Sequence, residues 1–389
     1  MSDSPAFDES GMALRTSARN SNAIADDKDV AINAWRGVAA LLVAYFHCRQ
    51  VTWVGMQQFH RASPAFDLNA VVSYLTFPVA WGSAGVPIFF IISGYCIHRA
   101  MARRLNADPR APFDGLNFLL RRFVRIYPVL IAALVLTFVL DSLSVGFEPV
   151  SRKINPFDLH AFLINLFSLQ GIAGKTFGSN GALWTLSVEV QFYLVYPLVI
   201  ALRRRIGMPA VVGLVAVVNI VSALVFERQQ IVIFTSYWLS WMLGAWIAEA
   251  KARNVRAPRR SGVVAVGIAL CGCAAFGLAQ YLAFQLWALA FAVYLFGALD
   301  RPMREGGPVR VFSVLGEFSF SLYVVHLPIF VLLGSVLFHS VLQTGIWASF
   351  AFTAIAVVVA AAFYALVERP AMAWAARLKP AKTRVRIAR

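Results

Sequence analysis

A chain of 389 residues that is 59% hydrophobic, has a mean hydropathy of +0.68 and holds only 14% charged residues is far more apolar than a soluble domain, where about 25% of residues are charged. That excludes a soluble globular protein, and separate apolar runs of about 20 residues exclude a membrane barrel, whose strands are alternating runs of about 10. A net charge of +16 would suggest nucleic acid in a soluble protein, but in a membrane protein the placement of the basic residues decides what the charge means.

Residues 1–29 are polar, hold Asp26, Asp27 and Asp29, and have neither an apolar core nor a cleavage-like end; they read as a disordered cytoplasmic tail and not as a signal peptide. A membrane domain follows over 30–370, and 371–389 is a basic cytoplasmic tail. Ten spans are expected, at about 31–52, 78–98, 126–146, 183–202, 209–226, 231–249, 261–279, 281–299, 312–337 and 344–366. Of the 35 lysines and arginines, 28 lie in the two tails and the even-numbered connections. The positive-inside rule therefore puts both termini in the cytoplasm, and the fold class is an all-α polytopic helical bundle. Cys48, Cys96, Cys271 and Cys273 lie in or beside apolar runs and suggest neither a disulfide nor a metal site.

Span one carries two ionisable groups. In AWRGVAALLVAYFHC (34–48), Arg36 and His47 interrupt an apolar run, and because an arginine at mid-membrane costs about 2.5–3.5 kcal/mol, such groups point to function by default. Their separation of eleven residues is close to three helical turns, so both side chains leave one face, about 16 Å apart along the axis. With entry near Val30, Arg36 lies about 9 Å and His47 about 25 Å into a core of about 30 Å. The competing readings are a histidine that bonds a neighbouring helix and an arginine that snorkels to the headgroups.

In GSAGVPIFFIISGYCIHR (82–99), Ser93 and Gly94 permit close helix approach or leave room for a ligand. LLRRFVRIYP (119–128) sets Arg121, Arg122 and Arg125 at the mouth of span three; the planar fork of arginine suits phosphate, though the same residues also satisfy the charge rule. Phe157, Phe162, Leu163 and Leu166 recur at near-helical spacing after a proline, which suggests an amphipathic outer-surface helix, either a lid or a passive element. In LWTLSVEVQFYLVYP (183–197), Glu189 must be paired, hydrated or protonated, and counted from the outer surface it lies about 9 Å deep. Arg203–Arg205 read as topology determinants and nothing more, and Trp184, Trp238, Trp287 and Tyr127 as interface anchors. In SFSLYVVHLPIF (319–330), His326 rises about 21 Å from the inner side. His47, Glu189 and His326 are thus expected at similar depth.

A histidine beside a carboxylate is a suitable general base: the acid fixes the tautomer and stabilises the imidazolium, while the free nitrogen takes a proton from an attacking hydroxyl. His47 is the expected base, Glu189 its orienting or charge-balancing partner, and His326 a second candidate that helix packing would explain equally well.

Together WRGVAALLVAYFH, GVPIFFIISGY (85–95), RRFVRIYP (121–128), LWTLSVEVQFYLVYP, SFSLYVVHLP and VERP (367–370) resemble, in order and over about residues 30–370, the acyltransferase-3 family of integral membrane acyltransferases. These move acyl groups, commonly acetyl, to sugars of polysaccharides, lipopolysaccharides and signalling molecules. The resemblance implies acyl-CoA, expected to be acetyl-CoA, as cytoplasmic donor, Arg36 and His47 as an essential pair, the arginines of RRFVRIYP as functional near the donor, and a role for Glu189. The expected protein is therefore an O-acyltransferase of the bacterial inner membrane that esterifies a hydroxyl of an exopolysaccharide, lipopolysaccharide or glycolipid. Arg36 would polarise the thioester carbonyl or position the donor, and Arg121, Arg122 and Arg125 would hold phosphates. Expected partners are membrane lipid, the carbohydrate or glycolipid acceptor, and a second copy or a glycan-assembly protein, but not nucleic acid; no metal is expected. The competing class is a secondary transporter of a small anion or sugar, since buried Arg, His and Glu suit proton coupling, but the internal repeat usual in transporters is not evident.

Overall fold

The computed structural model describes residues 9–62, 65–226, 229, 231–301, 303 and 306–378, with side chains from Val30 onward. Its elements are α1 (Glu9–Thr52), the short α2 (Met56–Arg61) and α3 (Leu68–Leu75), a 3-10 stretch (Phe77–Ala84) leading into α4 (Gly85–Ala107), α5 (Gly115–Ser144), α6 (Leu159–Leu166), α7 (Leu183–Ile206), α8 (Met208–Phe226), α9 (Trp238–Ala252), α10 (Ser261–Ala275), α11 (Gln280–Ala298), α12 (Gly307–Glu317), α13 (Ser319–Phe338), α14 (Trp347–Phe363), a π-helical turn (Tyr364–Glu368) and α15 (Arg369–Arg377). The expected tails fall largely outside the described residues: 1–8, 379–389 and the side chains of 9–29. The backbone of 9–29 continues α1.

The protein is an all-α polytopic bundle, with eight stretches among the described residues long and apolar enough to cross a membrane. Two of the ten expected spans, 231–249 and 261–279, are instead the 15-residue helices α9 and α10. At about 1.5 Å per residue each covers about 22 Å of a core of about 30 Å. The sixth is shortened because residues 231–237 leave the helix to build a loop wall, with Phe234–Ser236 a single 3-10 turn. The ninth span is broken at Phe318, where α12 ends and α13 starts.

A helix buried on all sides belongs at the centre of a bundle, and α13 is that helix: every residue from Ser321 to Val331 is buried. Small residues bring its neighbours together, as in many membrane bundles. A Cβ on Gly37 of α1 would run into the backbone oxygen of Phe312 on α12, and one on Gly316 into that of Asn33. Gly94 of α4 faces the Trp241 oxygen of α9 in the same way, and Gly244 of α9 faces the Ile91 oxygen of α4. Of the two readings for Gly94, the structure therefore shows close helix approach. Trp238 and Trp287 are buried core residues and not interface anchors. Val263, Leu270 and Val358 are exposed on the outside of the bundle, as a hydrocarbon solvent allows.

The segment 145–182 is not an external loop but folds back into the bundle, where Asn165, Gln170 and Asn180 are fully buried. Ser179 donates its backbone N–H (2.7 Å) and its hydroxyl (2.6 Å) to the Asp141 carboxylate of α5. Gly178 beside it has φ +53, and a Cβ there would collide with Asp141 Oδ2. At the opposite end, Arg203 of α7 is buried and forks onto Glu249 of α9 (Nε–Oε1 2.7 Å, Nη2–Oε2 3.0 Å), where His98 of α4 adds a contact at 3.1 Å. Arg203 is thus a tie between helices as well as a topology charge, because a buried guanidinium is retained only when paired.

Overpacking a tight contact costs about 1–3 kcal/mol. Gly244→Val should lower the thermal midpoint measured by fluorescence-detected size exclusion in detergent, whereas Gly213→Val, where a Cβ meets open space, should leave it unchanged.

Candidate active site

α1 and α13 bring two histidines into direct contact. His47 Nδ1 lies 2.8 Å from His326 Nε2, with the rings 5.1 Å apart between centroids and tilted by only 6°. His326 Nδ1 lies 3.0 Å from the backbone oxygen of Leu322, one turn earlier in α13. A carbonyl oxygen can only accept, so the proton of neutral His326 is on Nδ1 and its Nε2 carries the lone pair. His47 must then donate from its own Nδ1. The consequence is a His47 whose Nε2 holds no proton and has no hydrogen-bond partner among the described residues. His326 is fully buried, whereas His47 is only half-buried, so His47 is the member of the pair that a substrate can reach.

The HLP run of the sequence explains the local fold. Pro328 has no N–H to give to the carbonyl of Val324, the residue four earlier. Asn180 Nδ2 takes that place, donating to Val324 O at 2.8 Å and to Thr137 Oγ1 at 3.0 Å. One helix-breaking residue thereby docks the folded-back segment against α13 one turn from His326. Below it, Thr185 of α7 donates to Tyr323 Oη at 3.0 Å, and the Tyr323 ring stands edge-on to His326 at 5.9 Å.

Glu189 is not where depth counting puts it, beside His47. It accepts from Ser93 Oγ (2.9 Å) and Tyr193 Oη (2.5 Å), and His326 occupies the position expected for it. The reason is that the start of α7 is packed inside the bundle, with Leu183 fully buried, so residue counting from Leu183 does not fix the neighbours of Glu189. Its electrostatic neighbours are Arg36 and Arg122. Ser93 thus has a role that helix packing does not explain, as a donor to this carboxylate.

The arginines gather at the other end of α1. Arg36 is half-buried, has no hydrogen bond among the described residues, and lies in electrostatic reach of Arg125, Glu368 and Glu189. Arg122 stacks over Phe118 at 5.5 Å and Tyr193 at 5.7 Å. Arg121 stays exposed at the rim. Sequence reasoning missed Glu368. This carboxylate is buried in the π-helical turn, accepts from Ser321 N (3.1 Å) and Ser321 Oγ (2.5 Å), and keeps Oε1 without a hydrogen bond among the described residues. Its signal was the VERP run, in which a charge at the end of an apolar helix looks like an interface residue. The site is therefore bipolar: a histidine pair at one end of α1 and, about 16 Å along its axis, a cluster of three arginines and two carboxylates.

Removing the partner that fixes a tautomer typically costs about 10–100-fold. His326→Ala should lower kcat by that amount with little change in KM. His326→Gln, whose amide can accept from His47 and donate to Leu322 O at once, should recover most of the loss; steady-state kinetics on the two variants checks this.

A family model described as an acyltransferase domain matches residues 29–365. The chain is 28% identical over 384 residues to Acyltransferase MdmB of Streptomyces mycarofaciens, an alignment covering 90% of this chain and 92% of that protein. It is 31% identical over 123 residues to an uncharacterized protein of Haemophilus influenzae, covering 30% of this chain and 49% of that protein. With Nodulation protein 10 of Rhizobium leguminosarum bv. viciae the identity is 26% over 142 residues, covering 33% and 36%. These last two alignments thus take in half or less of each relative's length. No solved structure matches the chain. The family match takes in Arg36, His47, Arg121, Arg122, Arg125, Glu189 and His326, and the chain belongs to the acyltransferase-3 family as an integral membrane member.

Proposed function

We propose that the protein takes an acyl group, acetyl being the expected one, from acyl-CoA and esterifies a hydroxyl of a carbohydrate. The observation that carries this reading is the hydrogen-bonded chain from His47 Nδ1 through His326 to the Leu322 carbonyl, which assigns the free Nε2 of neutral His47 no proton. The acceptor O–H gives its proton to Nε2 as its oxygen attacks the thioester carbonyl carbon. The tetrahedral intermediate then breaks its C–S bond, and the departing CoA sulfur takes the proton from the imidazolium. Ester and free CoA thiol result. While charged, His47 still donates Nδ1–H to His326, and the chain of hydrogen bonds to Leu322 O spreads the charge.

Arg36 is assigned to the donor and not to the carbonyl. A guanidinium about 16 Å along the helix from His47 cannot also touch the atom that His47 serves. Arg36, Arg122 and Arg125 outnumber Glu189 and Glu368 in their cluster, which favours the phosphates of the donor, and Arg121 stands at the entrance. The pantetheine arm would span the distance between the two ends of the site. Charge asymmetry between connections supports an arginine end facing the cytoplasm, where acyl-CoA is made, in a bacterial inner membrane.

General-base catalysis is worth about 100- to 10,000-fold, so His47→Ala should reduce transfer of labelled acetyl from acetyl-CoA to a panel of envelope glycans by at least the lower figure, with acetyl-CoA binding retained. Losing a charge-assisted hydrogen bond costs about 1.5–3 kcal/mol, and Arg125→Ala should raise the donor KM by about tenfold or more. Wild-type protein that consumes no acyl-CoA but moves a solute across liposomes would overturn the proposal in favour of transport.

A further inference from the structure

A cavity of about 650 Å³ opens between the folded-back segment and a wall formed by Gln229, Ile231, Val232 and Tyr237. Ligand sites commonly measure about 300–1,000 Å³. Two aromatic residues stand in it, Trp184 at the start of α7 and Tyr237 before α9, with rings 5.2 Å apart and tilted by 50°. Phe90 braces Trp184 from behind at 6.4 Å, and Phe284 braces Tyr237 at 6.2 Å. Opposite lie an amide, a hydroxyl and an ammonium, those of Asn155, Thr176 and Lys175. Lys175 is the one charged side chain among the described residues that line the cavity.

The walls are already in place. Val232 N–H donates to Gly171 O at 2.9 Å and joins the two segments, and Asn155 N–H donates to Gly178 O at 3.0 Å. Two buried acceptors adjoin this lining without hydrogen-bond partners, Gln170 Oε1 next to Gly171 and Asn180 Oδ1 next to Gly181.

The cavity also reaches α13, the helix that carries His326. Gly181 is part of its lining, and a Cβ there would touch Leu327 Cδ1 at 3.6 Å, the residue after His326. Lys153, two residues before Asn155, is in electrostatic reach of His47.

We propose that this cavity is the acceptor subsite, in which one pyranose ring lies against Trp184 and Tyr237 while Asn155, Thr176 and Lys175 hold its hydroxyls. The proposal rests on the acyl-CoA-to-carbohydrate reading above. Flat rigid aromatics match the apolar C–H face of a sugar, and convergent polar groups fix its orientation. The described lining residues include one cation, Lys175, and no carboxylate, which favours neutral or anionic sugars over amine-bearing ones.

The test uses the full-length protein in detergent, with methyl β-D-glucopyranoside, methyl β-D-glucuronide and glucosamine as probes. It reads saturation-transfer NMR and acceptor KM with acetyl-CoA. Wild type and His47→Ala should both transfer saturation to the neutral and anionic probes and not to glucosamine. Trp184→Ala should lose the signal and raise acceptor KM by about tenfold, as truncation of a central aromatic contact commonly does. The pair Lys175→Ala with Thr176→Ala, exposed and half-buried residues that lie outside any helix, should weaken binding of the glucuronide most. If the wild type acylates glycosides but both groove variants keep its KM and its NMR signal, the subsite is elsewhere and the proposed reaction stands. If groove-dependent sugar binding is seen without any acyl transfer, the cavity is a sugar site but not an acceptor subsite, and the reaction reading falls. If the wild type binds no glycoside and acylates only a non-carbohydrate hydroxyl, both fall.

Discussion

A neutral imidazole acts as a base only through the nitrogen that holds no proton, and in this protein one hydrogen bond decides which nitrogen that is. The 2.8 Å contact between His47 and His326, anchored by the Leu322 carbonyl, leaves His47 Nε2 free. In water the two tautomers of histidine interconvert and either nitrogen can serve. Inside a helical bundle the alternatives would leave a buried polar group unpaired, at a cost of about 1–3 kcal/mol. Much of the surrounding architecture keeps that contact in place: Gly37 and Gly316 bring α1 against α12, and Pro328 gives up a backbone bond so that Asn180 can hold the folded-back segment against α13.

The second constraint is distance. Placing the arginine cluster and the histidine pair at the two ends of one helix separates the part of the structure that suits an anion from the part that suits proton transfer. Glu189 and Glu368 temper the arginines without neutralising them, since Arg36, Arg122 and Arg125 face only two carboxylates. Glu368 is tied to α13 through Ser321, so the same central helix that carries His326 also carries a partner for the arginine cluster.

How much of this was legible in the sequence follows from the range of each signal. Arg36, His47 and His326 stand out because an ionisable group in an apolar run needs a reason, and a helix converts their spacing directly into position. The bundle itself is legible from apolar runs alone. Glu189 was recognised as requiring a partner, but the partner was misassigned, because its neighbours depend on how the preceding 38 residues pack against the bundle. That is settled by contacts such as Asp141 with Ser179 and Asn180 with Val324, made between residues far apart in the chain. Arg203 misled for a related reason: the charge rule is local, whereas its bidentate bond to Glu249 joins two helices. The aromatic pair of Trp184 and Tyr237 is separated by 53 positions and becomes a pair only when the two segments pack.

The central claim is a tautomer, and it can be observed directly. The protein would be labelled with 15N-histidine, its six histidines assigned by single substitution, and the ring nitrogens of His47 and His326 read by NMR above the pH at which either is charged. The account predicts a proton on Nδ1 and none on Nε2 for both residues, with the His47 pattern lost in His326→Ala. A His47 that carries its proton on Nε2, or that is indifferent to the His326 substitution, would contradict it.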